Sequence, residues 1–323
     1  MPLGDDYPNS VVFVCEDRGG RKVPVGSAFL IEHADGGPWR YVVTARHVVE
    51  HERPTWLRLR RRDGTAPVEV PVPDWVSHPT ADAAVAPCDL DASEFQVTFI
   101  STEAFADRWP YKHDAPIQQG DPVFLIGLLS DLRSMADRSF PMVRSGRLGA
   151  LYQVDIPVRQ GPFRRNEPSA HLIDAHSRAG FSGAPCVAEH PSVVQVDSAW
   201  AILPYLALLG IVVGHFDSYT DVLSKHGEGA DFETDFRVQD NQGVAVVVPI
   251  EAVREVLDME ALVEDRRQRE AKAKDQRERG DWENAVTLDV VVGPSEFEQF
   301  VDLTRKLVNV PKKELDEKRK DES

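Results

Sequence analysis

The sequence predicts an all-β fold over most of its length, on three observations. Short runs rich in valine, isoleucine and phenylalanine recur as far as about position 250, which is typical of partly buried strands. Clusters of proline, glycine and aspartate separate these runs and mark turns. The 323 residues, 42% of them hydrophobic, can bury a sizeable core. The clearest strand candidates are residues 11–14, 41–43, 96–100, 122–126 and 142–146.

The run at 41–43 leads to a histidine, His47. A side chain that follows the end of a buried strand is held on a rigid support, which suits a general base. Further along, Asp82 opens a small apolar run, so its carboxylate could lie half-buried against a histidine and orient it. Asp89 and Asp91 are nearby competitors for that role. A core histidine and a turn aspartate are the alternatives without catalysis.

The most informative stretch is residues 180–185, Gly-Phe-Ser-Gly-Ala-Pro. Its glycines let the chain turn sharply, so the hydroxyl of Ser182 can stand clear of the backbone. The N–H groups of Gly180 and Ser182 can then point at one spot, where the negative oxygen of a tetrahedral intermediate would lie. A turn serine is the simpler interpretation of this hexapeptide alone. The order His, Asp, Ser along the chain favours nucleophilic catalysis.

These segments together resemble the trypsin-like (chymotrypsin-fold) serine peptidases, in particular their intracellular bacterial members. Residues 44–47, Thr-Ala-Arg-His, are similar to the family's element around the catalytic histidine. Asp82 begins a stretch similar to its aspartate element, and residues 180–185 are similar to its G-D-S-G-G-P element, with Phe181 and Ala184 as departures. Neighbouring strands and a terminal helix are also similar, at residues 25–31, 209–215 and 243–257.

The resemblance implies two six-stranded antiparallel β-barrels of chymotrypsin-like type. It implies a serine endopeptidase without a cofactor, acting on protein or peptide substrates. In that enzyme Ser182 is the nucleophile, His47 the general base and Asp82 its orienting acid, with the N–H groups of Gly180 and Ser182 as the oxyanion hole. The substrate-binding residues that it implies are His176, Val213, Gly214 and His215.

Two of these implied substrate-binding residues are histidines, His176 and His215. They could favour an acidic substrate side chain, or they could hydrogen-bond each other. In the alternative interpretation, His215 lies in a solvent-facing turn with Asp217.

Phe181 leaves a second function open. In secreted relatives an aspartate at this position pairs with the new N-terminus after zymogen cleavage, and phenylalanine cannot do so. We therefore expect no zymogen switch of that kind. The alternative to an active enzyme is a catalytically inactive trypsin-like binding module.

The expected domains are a barrel at 1–112 with His47 and Asp82, a barrel at 113–258 with Ser182, a charged helix or linker at 259–283, and an appendage at 284–323. The appendage combines a strand-like run with an amphipathic helix whose apolar face carries Phe297, Phe300 and Leu307. It could pack back onto the barrels or dock onto a partner protein.

The net charge of −16 argues against nucleic acid as the main partner, because phosphates would be repelled. The longest apolar run contains Pro204 and is too short to span a bilayer, so no membrane is expected either. Three scattered cysteines and an N-terminus without a signal pattern predict a cytoplasmic protein.

A zinc site is the competing use of the same histidine. Residues 47–51, His-Val-Val-Glu-His, match H-x-x-E-H, which on a long helix presents two ligands and a general base on one face. The strand-like residues before it and Pro54 after it argue against such a helix, so we expect no metal.

Overall fold

The structure, a computed structural model, describes residues 6–34, 39–50, 54–72, 74–107, 117–129, 140–160, 163–177, 180–196, 199–225 and 231–279. The expected appendage with Phe297, Phe300 and Leu307 lies outside the described residues, as does His51.

The first half of the chain forms an eight-stranded sheet. Its strands are β1 (Val11–Arg18), β2 (Arg21–His33), β3 (Trp39–Thr44), β4 (Thr55–Leu59), β5 (Val68–Val72), β6 (Val76–Ser77), β7 (Ala84–Pro87) and β8 (Ile100–Ser101). Their order is β5-β4-β1-β2-β3-β7-β6, with β8 beside β2. Neighbours are antiparallel apart from the short β2–β8 pair.

The strand count of this sheet differs from the six that were expected. Two of its members, β6 and β8, are only two residues long, which is too short for an alternating pattern to reveal. The strand expected at 96–100 is reduced to β8, because most of that segment is irregular.

The second half forms the expected closed six-stranded barrel, in the order β10-β11-β14-β13-β12-β9. The all-β prediction is therefore confirmed. The strands of the barrel are β9 (Pro122–Leu128), β10 (Pro141–Gln160), β11 (Phe163–Asp174), β12 (Pro185–Val196), β13 (Ala199–Lys225) and β14 (Asp231–Pro249).

Alternation along the strands decides what is buried. In β4, Thr55, Leu57 and Leu59 are buried, whereas Trp56 and Arg58 between them are partly exposed. A larger core cluster fills the N-terminal sheet and continues into the second half of the chain, and a smaller one lies in the barrel. Burying one such large apolar side chain stabilises the fold by about 1.5–3 kcal/mol.

Four α-helices and a short 3-10 helix at Thr102–Ala104 complete the described residues; the α-helices are α1 (Asp6–Asn9), α2 (Arg46–Val49), α3 (Glu251–Leu257) and α4 (Glu260–Arg279). Helix α3 follows β14 directly and packs against β7 of the N-terminal sheet. Helix α4 is rich in charge, and Arg266 on it donates to the Tyr41 hydroxyl at 3.0 Å. None of the helices in the described part of the chain has the length and apolarity that crossing a membrane requires.

Candidate active site

His47 lies where β3 ends and α2 begins. Ala45 is still extended, with φ −70° and ψ 138°, and the chain then turns into one short helix. Val48 and Val49 on that helix are buried, so they fix it to the core. The side chain of His47 keeps 20% of its surface exposed, which leaves the imidazole accessible to a substrate.

The carboxylate of Asp82 is fully buried and binds His47 through both oxygens. Oδ2 lies 2.6 Å from Nδ1 of the His47 ring, and Oδ1 accepts the His47 backbone N–H at 2.9 Å. A carboxylate accepts, so Nδ1 carries the proton of the neutral ring. Nε2 is then the nitrogen that can accept a proton from a nucleophile.

The loop before Asp82 is held by a second histidine, His78. Its Nδ1 accepts the backbone N–H groups of Ala81 at 2.8 Å and Thr80 at 3.2 Å. Its Nε2 therefore carries the proton and lies 2.8 Å from a carboxylate oxygen of Glu255 on α3. His78 is a site residue that sequence reasoning missed, because its partners become neighbours only in the folded chain.

Ser182 lies in a tight turn between two glycines with positive φ. Gly180 has φ +97° and Gly183 φ +88°, conformations that glycine adopts without strain. The turn is closed by a hydrogen bond from Ala184 N–H to the Phe181 carbonyl at 2.9 Å. Among the described residues, no hydrogen-bond acceptor faces the N–H of Gly180 or of Ser182. Both donors can therefore serve a bound oxyanion.

Ser27 of β2 connects this turn to the sheet that carries His47. Its N–H donates to the Ser182 carbonyl at 2.8 Å, and its hydroxyl donates to the Gly180 carbonyl at 2.5 Å. The same hydroxyl accepts the N–H of Leu128 at 3.0 Å. Ser27 was expected only as part of a strand, and no motif in the sequence indicates this role.

Gly26 shows how closely the segment of His47 and the segment of Ser182 approach each other. A Cβ at this position would lie 2.8 Å from the Val48 side chain and 2.9 Å from the Ser182 carbonyl oxygen. The residue after His47 and the backbone of Ser182 thus meet at one glycine. The structure brings the three sequence-predicted catalytic residues into one region.

Phe181 anchors the turn in the barrel. Its ring is fully buried, and a Cβ at Gly127 would lie 2.6 Å from it. The Arg144 guanidinium lies 5.9 Å from the ring centroid. Secreted relatives carry an aspartate at the position of Phe181, whereas here the packing of an apolar ring fixes the turn.

The expected substrate-binding residues differ in their exposure and in the contacts that they make. His215 lies in strand β13 and not in a turn, and its Nδ1 is 3.2 Å from the Ser177 hydroxyl. His176 is exposed, and its ring lies 2.6 Å from where a Cβ of Gly243 would be. Gly214, partly buried, has its carbonyl 3.4 Å from the same Ser177 hydroxyl. Ser177 is a further residue beside these candidates that the sequence analysis did not single out.

Val213 departs from the expectation. Its side chain is only 1% exposed and belongs to the larger core cluster, so it is not open to a substrate. The pairing of β13 with β14 shifts register between Val212 and Gly214, and Val213 lies at this irregularity.

The competing interpretations find less support. Asp89 pairs with Arg269, and Asp91 accepts the N–H of Ser93, so both are engaged elsewhere. The zinc site requires a long helix, whereas α2 has four residues. Within the described ranges, no cluster of histidine, cysteine and acidic residues could hold a metal ion.

The chain is similar to one known family and to several solved structures. The model of the trypsin-like peptidase domain matches residues 26–194, which is just over half of the chain. No curated protein matched the chain.

Solved structures with similarity include the MamO protease domain from Magnetospirillum magneticum, at 18% identity and a TM-score of 0.47, covering 80% of this chain and 100% of that one. Deg5 has 15% identity and a TM-score of 0.43, with 78% and 88% of the two chains covered. The active form of the Rv3671c protease from M. tuberculosis has 16% identity and a TM-score of 0.44, with 78% and 81% covered.

Proposed function

The chain belongs to the trypsin-like peptidase family, and we propose that it is an active serine endopeptidase that works through His47, Asp82 and Ser182. The observation that carries the proposal is the 2.6 Å contact between His47 Nδ1 and Asp82 Oδ2 at a buried carboxylate. A surface histidine has no need of such a partner, whereas a general base does.

The proposed reaction begins with the attack of the Ser182 hydroxyl oxygen on the substrate carbonyl carbon. His47 Nε2 takes the serine proton as the new C–O bond forms, and Asp82 stabilises the resulting imidazolium. The N–H groups of Gly180 and Ser182 donate to the oxyanion. His47 then returns the proton to the leaving amine, which leaves an acyl-enzyme on Ser182. Water attacks this ester by the same route, and the serine is regenerated.

A fluorophosphonate probe tests the proposal, because it labels only an activated serine. We expect labelling of the full chain and its loss in Ser182→Ala. Ser93→Ala, which changes an exposed serine on a loop, is the matched control and should label like the unchanged protein. Absence of labelling both in the full chain and in a chain ending at residue 283 would contradict an active peptidase.

The second candidate is an inactive module that binds a partner protein. Phe181 favours it, because the turn carries no charged residue that an activation step could engage. In this case Phe297, Phe300 and Leu307 of the appendage would dock onto the partner. Absence of probe labelling in both the full chain and a chain ending at residue 283 supports the module. Labelling of either one supports the enzyme.

We further propose a preference for substrates with Glu or Asp before the cleaved bond. The His176 ring lies against Gly243, and the Ser177 hydroxyl lies 3.2 Å from His215 Nδ1; these side chains would supply hydrogen-bond donors to an acidic side chain. A peptide library should then show cleavage after acidic residues, weakened in His215→Ala. Cleavage after arginine or after bulky apolar residues contradicts this preference, while leaving the peptidase proposal intact.

A further inference from the structure

We infer that Glu167, a residue of the C-terminal barrel, is a positioning residue that holds the backbone of Asp82 and so the orientation of His47. This inference deepens the proposed function and rests on it.

The contact crosses from one half of the chain to the other. Glu167 lies on β11 and pairs in register with Ile156 of β10. Its Oε2 accepts the backbone N–H of Asp82 at 3.1 Å, although the two residues are 85 positions apart in sequence. The glutamate is 0% exposed. Burial of a carboxylate costs free energy, so Glu167 needs a specific hydrogen-bond partner. The apolar side chains of the barrel core need none.

Asp82 is therefore held at three points. Its N–H binds Glu167, its Oδ1 binds the His47 N–H, and its Oδ2 binds the His47 ring. The first bond comes from the barrel, and the other two come from His47 on α2. Removal of the Glu167 acceptor takes this bond away from a buried N–H, and the backbone of Asp82 responds by moving. Because the carboxylate moves with its backbone, the imidazole would lose its orientation toward Ser182.

Two substitutions of similar length separate positioning from space-filling. Glu167→Gln keeps an oxygen that can accept the Asp82 N–H, whereas Glu167→Met fills the volume without an acceptor. We expect Gln to retain the rate of fluorophosphonate labelling within about threefold and Met to lower it about ten- to a hundredfold. Equal labelling rates in the two variants overturn the inference. Ile173→Ala, on the same strand and equally buried, is the control for a general loss of packing and should label normally where folded.

A second variant covers the case in which Glu167→Met does not fold. Glu167→Asp keeps the charge but shortens the reach by one methylene, so it should also lower labelling. Labelling of this variant at the unchanged rate overturns the inference as well.

A spectroscopic signal separates this inference from the proposed function. The proton between His47 Nδ1 and Asp82 gives a low-field NMR resonance, which we expect to persist in Glu167→Gln and to vanish or shift in Glu167→Met. If neither the full chain nor the chain ending at residue 283 is labelled, the proposed function fails, and this resonance still decides the role of Glu167. An identical resonance in both variants contradicts positioning.

Discussion

Single atoms decide whether the Ser182 turn can form. A Cβ on Gly183 would lie 1.9 Å from the Ser27 carbonyl oxygen and 2.2 Å from the Thr44 hydroxyl. Both neighbours belong to the N-terminal sheet, so the turn packs directly against that sheet at this glycine. Its φ of +88° adds a second reason for glycine.

Gly183→Ala should therefore abolish probe labelling and lower stability. The positive φ alone costs an alanine about 1–2 kcal/mol, and the contact with Ser27 forces the turn away from the sheet. Gly64→Ala is the control, because Gly64 has φ +74° but no atom within 4 Å of the added carbon. Gly64→Ala should lose the stability that the positive φ costs an alanine, and it should keep the probe labelling of the unchanged protein. Probe labelling and thermal melting of both variants provide the measurement, and normal labelling of Gly183→Ala contradicts the expected clash.

The three catalytic candidates could be proposed from sequence because each lies within a short motif of a recognisable type. Their supports could not. Ser27 acts through contacts with Gly180 and Leu128, 153 and 101 positions away, and no local pattern reports such partners. Glu167 is similar, because a glutamate in a strand predicts exposure and not burial.

At the scale of elements, β11 carries a second buried polar side chain, His171. Its Nδ1 accepts the N–H of Tyr152 at 3.2 Å, and the ring is 0% exposed. Burial disfavours the charged ring and lowers the pKa of His171 from 6.5 to about 4. The barrel thus folds around a neutral imidazole.

Acid should weaken the barrel through this residue. Because the pKa of His171 is lower in the folded protein than in the unfolded chain, the unfolded chain binds the proton first as the pH falls. The stability is complete above pH 6.5 and is lost as the pH falls through about 4, by about 3 kcal/mol in total. His171→Gln should show a flatter loss between pH 7 and 4 in denaturant unfolding. His33→Gln, which changes a partly exposed histidine at the end of β2, should keep the original slope. Equal slopes in His171→Gln and the unchanged protein contradict this account.

Elements differed in how well the sequence predicted them. Strands such as β9 and β10 carry apolar runs, and the sequence located them. The two-residue strands β6 and β8 are defined by hydrogen bonds to their neighbours, so no side-chain pattern predicts them. The lengths of β13 and β14 were also missed, because hydrogen-bonded pairing continues beyond the apolar runs of both strands.

At the scale of the whole molecule, the cytoplasmic location that was expected partly from the three scattered cysteines stays a prediction. The three cysteines are all buried and free, and burial raises the pKa of the Cys15 and Cys88 thiols to about 12. Thiols of this kind are poorly reactive, so they form part of the core and not of the proposed chemistry.

Residues from both halves of the chain hold the proposed site, and helices α3 and α4 add contacts to the half that carries His47. Arg254 of α3 forms a two-pronged ion pair with Asp107, and Glu255 on the same helix binds His78 beside Asp82. Helix α4 continues onto the N-terminal sheet, where Arg266 binds Tyr41 and Arg269 binds Asp89. The end of the described chain therefore returns to the sheet that carries His47.

Truncation within this region should separate the role of α4 from that of the appendage. A chain ending at residue 258 loses the burial of Leu262, which is 2% exposed, and the bond from Arg266 to Tyr41. Together these contribute about 2–3 kcal/mol, so the melting temperature should fall by about 5–10 °C. A chain ending at residue 283 keeps both contacts and should melt like the full chain. Because Glu255 and Arg254 remain in either truncation, the folded fraction of each should keep its probe labelling. Equal melting temperatures for the two truncations would show that α4 adds no stability to the sheet, whereas loss of labelling only in the shorter chain would mean that α4 also supports the catalytic pair.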